Sequence, residues 1–209
     1  MGFFSTNLEK IVTNATINIR KLILDPSRTV VVNINTVNGY FKSGQMFSPP
    51  LAAVLPNVVR ANEYLLNSRK LFIVDYHQKN SSELSFFPEH CVSYTEQQIV
   101  DELDRFSEDA DIITKNSVNA FVSADYIKWF SANINNFDNM IIVGGMTDTD
   151  VLQFALSQQA YCFENDRYLR IIVLENAVRS FDNHAHDDMD NHIFALYNMY
   201  INGITIAQI

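Results

Sequence analysis

Continuous apolar runs alternate along the chain with segments in which apolar residues recur every three or four positions. Thr29-Val30-Val31-Val32-Asn33-Ile34-Asn35, Leu71-Phe72-Ile73-Val74-Asp75, Asp111-Ile112-Ile113-Thr114-Lys115, Met140-Ile141-Ile142-Val143-Gly144-Gly145, Leu169-Arg170-Ile171-Ile172-Val173-Leu174 and Ile204-Thr205-Ile206-Ala207 read as six strands. Runs this uninterrupted suit strands covered on both faces. Helical spacing predicts helices over 51–66, 126–134, 147–161 and 191–201, and another opening at Thr95-Glu96-Gln97-Gln98 with a capping-box pattern that continues through Ile99, Val100 and Leu103. Strand–helix alternation implies a three-layer α/β/α domain with a six-stranded parallel sheet over 26–209. Residues 1–25 read as an added amphipathic helix carrying Leu8, Ile11, Val12, Ile17, Ile19 and Leu22.

Composition narrows the function classes. Of the 209 residues, 47% are hydrophobic and 19% charged, which excludes a disordered chain. The formal net charge is −9, with 15 Lys+Arg against 24 Asp+Glu. Nucleic acid and anionic membranes are therefore unsuitable partners, since both need cations to displace counterions. The two cysteines, Cys91 and Cys162, make no disulfide framework. No run reaches the roughly 18 apolar residues of a membrane span, and no secretory signal is expected, so the expected location is the cytoplasm.

In open parallel sheets chemistry gathers beyond the carboxyl ends of the strands. Those ends hold Asn35, Asp75-Tyr76-His77, Lys115, Gly144 to Asp150, and Glu175-Asn176. Asp75 and His77 lie two apart and share a face, with Glu83 and His90 in the loop that follows. Two carboxylates and two imidazoles suit Zn²⁺, Mn²⁺ or Fe²⁺, although Asp-x-His is also a common pairing. Lys115 is either a solvated strand tip or a charge partner for a neighbouring carboxylate. The junction Gly144-Gly145-Met146-Thr147-Asp148-Thr149-Asp150 could seat a nucleophile beneath free N–H groups. Its Thr and Asp could equally be helix caps.

Taken in order, these residues resemble the isochorismatase-like cysteine hydrolases, and the nicotinamidase branch in particular. The resemblance runs through Asn35-Thr36-Val37-Asn38-Gly39-Tyr40-Phe41, Asp75-Tyr76-His77, Glu83, Pro88-Glu89-His90-Cys91, Lys115-Asn116-Ser117-Val118-Asn119-Ala120-Phe121 and Gly144 to Val151, with Ser180-Phe181-Asp182, His186 and Asn191 behind them. It implies the family fold from about residue 28 onward. It also implies a divalent metal held by Asp75, His77, Glu83 and His90, and an aromatic amide-like ligand near Tyr40, Phe41, Phe87, Gly145 and Met146. The family triad of Asp, Lys and Cys falls on Asn35, Lys115 and Asp150, so two of its three positions are substituted.

A carboxylate is a weak nucleophile and an asparagine takes no proton near neutral pH. The resemblance therefore implies a member that keeps the metal site but is silent or impaired in amide hydrolysis. The alternatives are an active hydrolase of a small amide or ether using Asp150 and Lys115, and a structural or regulatory subunit of a homo-oligomer. On charge alone, exchanging Asp and Cys for Asn and Asp leaves one carboxylate facing Lys115, and both the lysine and the helix start favour its ionised form.

Overall fold

A computed structural model describes residues 3–209, with side chains from Thr6 onward. Its sheet has seven parallel strands: β1 Ile17–Asn18, β2 Thr29–Ile34, β3 Arg69–Asp75, β4 Asp111–Lys115, β5 Asn139–Gly145, β6 Arg170–Arg179 and β7 Thr205–Gln208. Their order across the sheet is β1-β7-β6-β5-β2-β3-β4. After β1 at one edge the chain enters the middle of the sheet at β2, winds outward to β4, then returns to β5 on the other side of β2. The β2–β5 boundary is the topological switch point, where a crevice opens above the strand ends.

Five longer helices, α1 Phe3–Ala15, α2 Leu55–Tyr64, α3 Ala124–Asn133, α4 Leu152–Glu164 and α5 Asp188–Ile201, cover the sheet. Alternation along each strand divides the core in two. Val30, Val32, Ile34, Leu71, Ile73, Met140 and Ile142 meet apolar residues of α1, α3, α4 and α5. Val31, Phe72, Val74, Ile141 and Val143 meet Leu55, Val58 and Ala61 of α2. Asn33 lies on the second face within an otherwise apolar strand, and its amide is matched by Asn62 of α2 through hydrogen bonds of 2.8 and 3.2 Å. These two buried amides thus satisfy each other, as desolvation requires.

Several expectations need correction. The sheet has seven strands and not six, because Ile17 and Asn18 pair with Ala207 and Gln208 at one edge. Two residues carry no periodicity of their own, so Ile17 read as part of a helix. The N-terminal helix ends at Ala15, with residues 1–2 outside the described part; Ile11 is exposed, whereas Ile19 reaches the opposite core. The segment 51–66 divides into Pro49–Ala52 and α2, which carries Pro56 in its first turn. The capping box belongs to Ser93 and Glu96, and its helix is one turn, Tyr94–Gln97; Gln98 is extended and Ile99 bridges Val37. β6 runs to Arg179, so Glu175 and Asn176 lie within the strand and not at its end.

Gly144 shows why β5 must bend where it meets β2. Its φ is +108°, and a Cβ there would lie 2.0 Å from the Ile34 carbonyl oxygen. The register with β6 shifts at the same place. Only glycine allows this contact, and the bend brings the following turn, Thr147–Val151, above the switch point.

Candidate metal centre and triad position

β2, β3, β4 and β5 end side by side. Asp75 and Lys115 are direct partners in the β3–β4 register, and Ile34 pairs with Ile73 on one side and Gly144 on the other. Asn35 follows β2 with φ +50°, a left-handed conformation that Asn and Asp adopt most readily after glycine. Asp150 arrives from the turn after β5.

These residues form one buried network. Lys115 Nζ donates to Asp150 Oδ1 at 2.7 Å and also to Asp75 Oδ1. The Asn35 amide nitrogen donates to Asp75 Oδ2 at 2.8 Å and to Asp150 Oδ1 at 2.9 Å, while its oxygen accepts the Asp75 backbone N–H at 3.0 Å. Tyr40 Oη donates to Asp75 Oδ2, and Thr149 Oγ1 donates to Asp150 Oδ2 at 2.9 Å. The side chains of Asp75, Lys115 and Asp150 are each 1% exposed.

The charge expectation is overturned here. Two carboxylates share Lys115, because the register that pairs β3 with β4 brings Asp75 into the cluster. Burial raises Asp75, but the Lys115 charge and hydrogen bond, with the Tyr40 hydroxyl, outweigh it and hold Asp75 below the ordinary carboxylate value. For Asp150 burial prevails: with Asp75 adding to it, the pull of Lys115 is exceeded and Asp150 is held above its ordinary value. Burial alone would lower Lys115, yet the two carboxylates keep it firmly protonated. The helix start adds little to Asp150, whose hydrogen bonds come from Asn35, Lys115 and Thr149.

Beside this network stand the expected metal residues. Ligand atoms of Asp75, His77 and His90 lie within 4.8 Å of one another. Glu83 Oε1 is 3.8 Å from Nε2 of both histidines, while Glu83 Oε2 accepts the Val118 N–H at 2.9 Å. His90 Nδ1 donates to the Pro88 carbonyl at 2.6 Å. His77 Nδ1 faces Asn116 Oδ1 at 2.9 Å. Both rings thus turn Nε2 toward the carboxylates, and His77 Nε2 is buried with no hydrogen-bond partner. An orphaned buried lone pair is costly unless something occupies it. The two imidazole nitrogens and the Asp75 carboxylate, with Glu83 beside both rings, are donors of the kind that suit a divalent cation.

The other expected residues separate. Phe87 stands edge-on to His90 with ring centroids 6.4 Å apart, and Tyr40 tilts against the same ring at 5.6 Å. Phe41 and Met146 are core side chains of the α2 face, and Gly145 is buried against Leu51. Thr147 and Asp148 do not cap the helix start. Thr147 Oγ1 meets His192 Nδ1 at 3.0 Å, and Asp148 binds Ser180 and His186, whose Nε2 is 2.7 Å from Asp148 Oδ2. Cys91 is fully buried, with its thiol pushed up by burial and by Asp75.

Two partners escaped the sequence reading. The Tyr40 hydroxyl bonds Asp75, although Tyr40 was expected only near a ligand, and the Asn116 side chain, next after Lys115, meets His77. Both were visible as residues; their targets depended on strand register. A cavity of about 310 Å³ lies beside this strand end, lined by Thr114, Lys115, Asn116, Ser117, Asn119, Val122 and Ser123.

A doubly covered parallel sheet with this strand-end cluster is the isochorismatase-like hydrolase fold. The family model of the isochorismatase domain matches residues 29–204, and the chain belongs to that family. Among solved structures it is similar to the nicotinamidase/pyrazinamidase of Bacillus subtilis, with 19% identity, TM-score 0.72, and 87% of this chain and 100% of that one covered. It is also similar to the pyrazinamidase of Pyrococcus horikoshii solved in complex with zinc, with 21% identity, TM-score 0.68 and coverage of 87% and 99%. An isochorismatase-like hydrolase from Alkaliphilus metalliredigens aligns at 16% identity, TM-score 0.70 and coverage of 87% and 94%. A search of curated proteins returned no match.

Proposed function

We propose that this chain is a divalent-metal-binding member of the isochorismatase family whose amide-hydrolysing triad is silent. The carrying observation is the pairing of Asn35 with Asp150. The residue at the nucleophile position is a carboxylate, hydrogen-bonded by Asn35 at 2.9 Å and Lys115 at 2.7 Å and 1% exposed. The residue at the base position already spends its acceptor on the Asp75 N–H and both donors on carboxylates. Asn35 is an amide and takes no proton near neutral pH, and the buried Asp150 carboxylate has its oxygens turned to Asn35, Lys115 and Thr149.

Asp75, His77, Glu83 and His90 would hold the cation. The cation would supply a Lewis-acid anchor for a ring nitrogen or carbonyl oxygen. Tyr40 and Lys115 keep Asp75 charged for that task, and the edge of Phe87 beside His90 offers an apolar wall to a small aromatic amide such as nicotinamide. The reading extends to a homo-oligomer in the cytoplasm.

The test is ammonia release from nicotinamide and related amides with added Zn²⁺, Mn²⁺ or Fe²⁺. No turnover together with measurable metal uptake supports the reading. Turnover abolished by Asp150→Ala overturns it in favour of a second one, an active hydrolase of a small amide or ether using Asp150 and Lys115. The cavity beside Lys115 favours that second reading, because it brings a small molecule's space to the end of β4.

A further inference from the structure

Of the two proposed histidine ligands, His90 turns its Nδ1 to the Pro88 backbone carbonyl, whereas His77 turns its Nδ1 to a side chain, that of the residue after β4. His77 Nδ1 is 2.9 Å from Asn116 Oδ1, and Ser81 Oγ donates to the same oxygen at 2.8 Å while lying 3.3 Å from Nδ1. A carbonyl oxygen only accepts, so the ring proton must sit on Nδ1 for this contact to bond. The ring then presents a bare lone pair at Nε2, the buried atom that has no partner. With the other tautomer, Nδ1 and the Asn116 oxygen would be two lone pairs at 2.9 Å, and an Nε2 proton would reach only carboxylates 3.8 Å away.

We propose that Asn116, steadied by Ser81, is a positioning residue that fixes the His77 tautomer and thereby sets the affinity of the metal centre. This rests on the metal reading above. Asn116 is the residue after Lys115, so one strand end carries both the lysine that holds the Asp75 carboxylate and the amide that holds His77. Asn116 also lines the cavity of about 310 Å³ beside β4, which leaves it open to substitution without disturbing a core. Partners of this kind typically change metal affinity by 10- to 100-fold when lost.

Zn²⁺ binding to the full chain, measured by calorimetry with chelator competition, tests the assignment. Asn116→Leu keeps the size and removes the acceptor, and it should bind Zn²⁺ about 10- to 100-fold more weakly. Asn116→Asp restores an acceptor and should bind no more weakly than the unmodified chain. Long-range ¹H–¹⁵N correlation spectra of the metal-free protein add a readout that needs no metal: His77 should carry its proton on Nδ1, and Asn116→Leu should lose that preference. Equal Zn²⁺ affinity in the Leu variant, or an Nε2 proton on His77 in the unmodified metal-free protein, overturns the role of Asn116 and leaves the metal reading standing. Absence of Zn²⁺ uptake by the unmodified chain overturns the metal reading and this role with it.

Discussion

The Asn35 amide donates to Asp150 Oδ1 at 2.9 Å, so the residue at the family's base position is a proton donor to the residue at its nucleophile position. In the Asp–Cys arrangement that the family resemblance implies, the thiol gives the proton and the carboxylate takes it. Here the polarity of that contact is reversed. The two substitutions form one hydrogen bond, and each makes chemical sense only beside the other.

This coupling predicts the outcome of rebuilding the triad. Asn35→Asp combined with Asp150→Cys restores acid, lysine and thiol around Lys115. Amidase activity on nicotinamide should emerge in the double variant and exceed either single variant by at least about a hundredfold, because triad members act as a unit. Ammonia release measured across the four proteins checks it. A single variant as active as the double would refute the coupling.

Stability should follow the same contact. Asn35→Asp alone places a third carboxylate against Asp75 and Asp150, with Lys115 the cation bonded to both of them. An uncompensated buried charge of this kind should cost about 3 kcal/mol or more in urea unfolding. Adding Asp150→Asn returns a neutral donor to the contact and should recover most of the loss. If Asn35→Asp unfolds at the same urea concentration as the unmodified chain, the bridging role of Asn35 is wrong.

Metal should stabilise the fold through His77. Protein purified without chelator should contain close to one divalent ion per chain, and a ligand that binds only the native state raises stability by mass action. Chelation should therefore lower the melting temperature of the unmodified chain. His77→Ala should lose most of its metal in elemental analysis and show no further shift with chelator.

Acid sensitivity should trace in part to His192. Burial, aided by Arg179, lowers its pKa from the ordinary 6.5 to about 3. Between those values the unfolded chain binds a proton that the native state refuses, so the unfolded state gains protons and stability falls as the pH drops. The contribution is fully present above about pH 6.5 and is lost progressively toward pH 3. Melting temperatures of the unmodified chain should fall over this window more steeply than those of His192→Gln, in which the titrating ring is gone. Parallel curves for the two proteins would assign the acid limb to other groups.

Strand positions were legible in the sequence because a strand buried on both faces is almost wholly apolar, as β2, β3 and β5 are; β4 lies at the edge with Ile112 exposed, so its short run corrects the expectation that every strand is covered on both faces. The motif residues at their ends were legible for the same reason: where an apolar run stops, Asn35, Asp75, Lys115 and Gly144 stand out. The four expected metal residues come from one strand end and the loop after it; Asp75, His77 and His90 group together, and Glu83 stands 3.8 Å from both histidines. What linear order could not express is which strand lies beside which. β3 and β4 are neighbours, so Asp75 faces Lys115; β2 lies between β3 and β5, so Asn35 touches both Asp75 and Asp150. That adjacency placed two carboxylates on one lysine, turned Asp75 into a shared member of both clusters and raised Asp150 against the sequence expectation. Charge, hydrogen bonding and desolvation act over a few ångströms through space, and only the folded sheet brings residues 35, 75, 115 and 150 within that range.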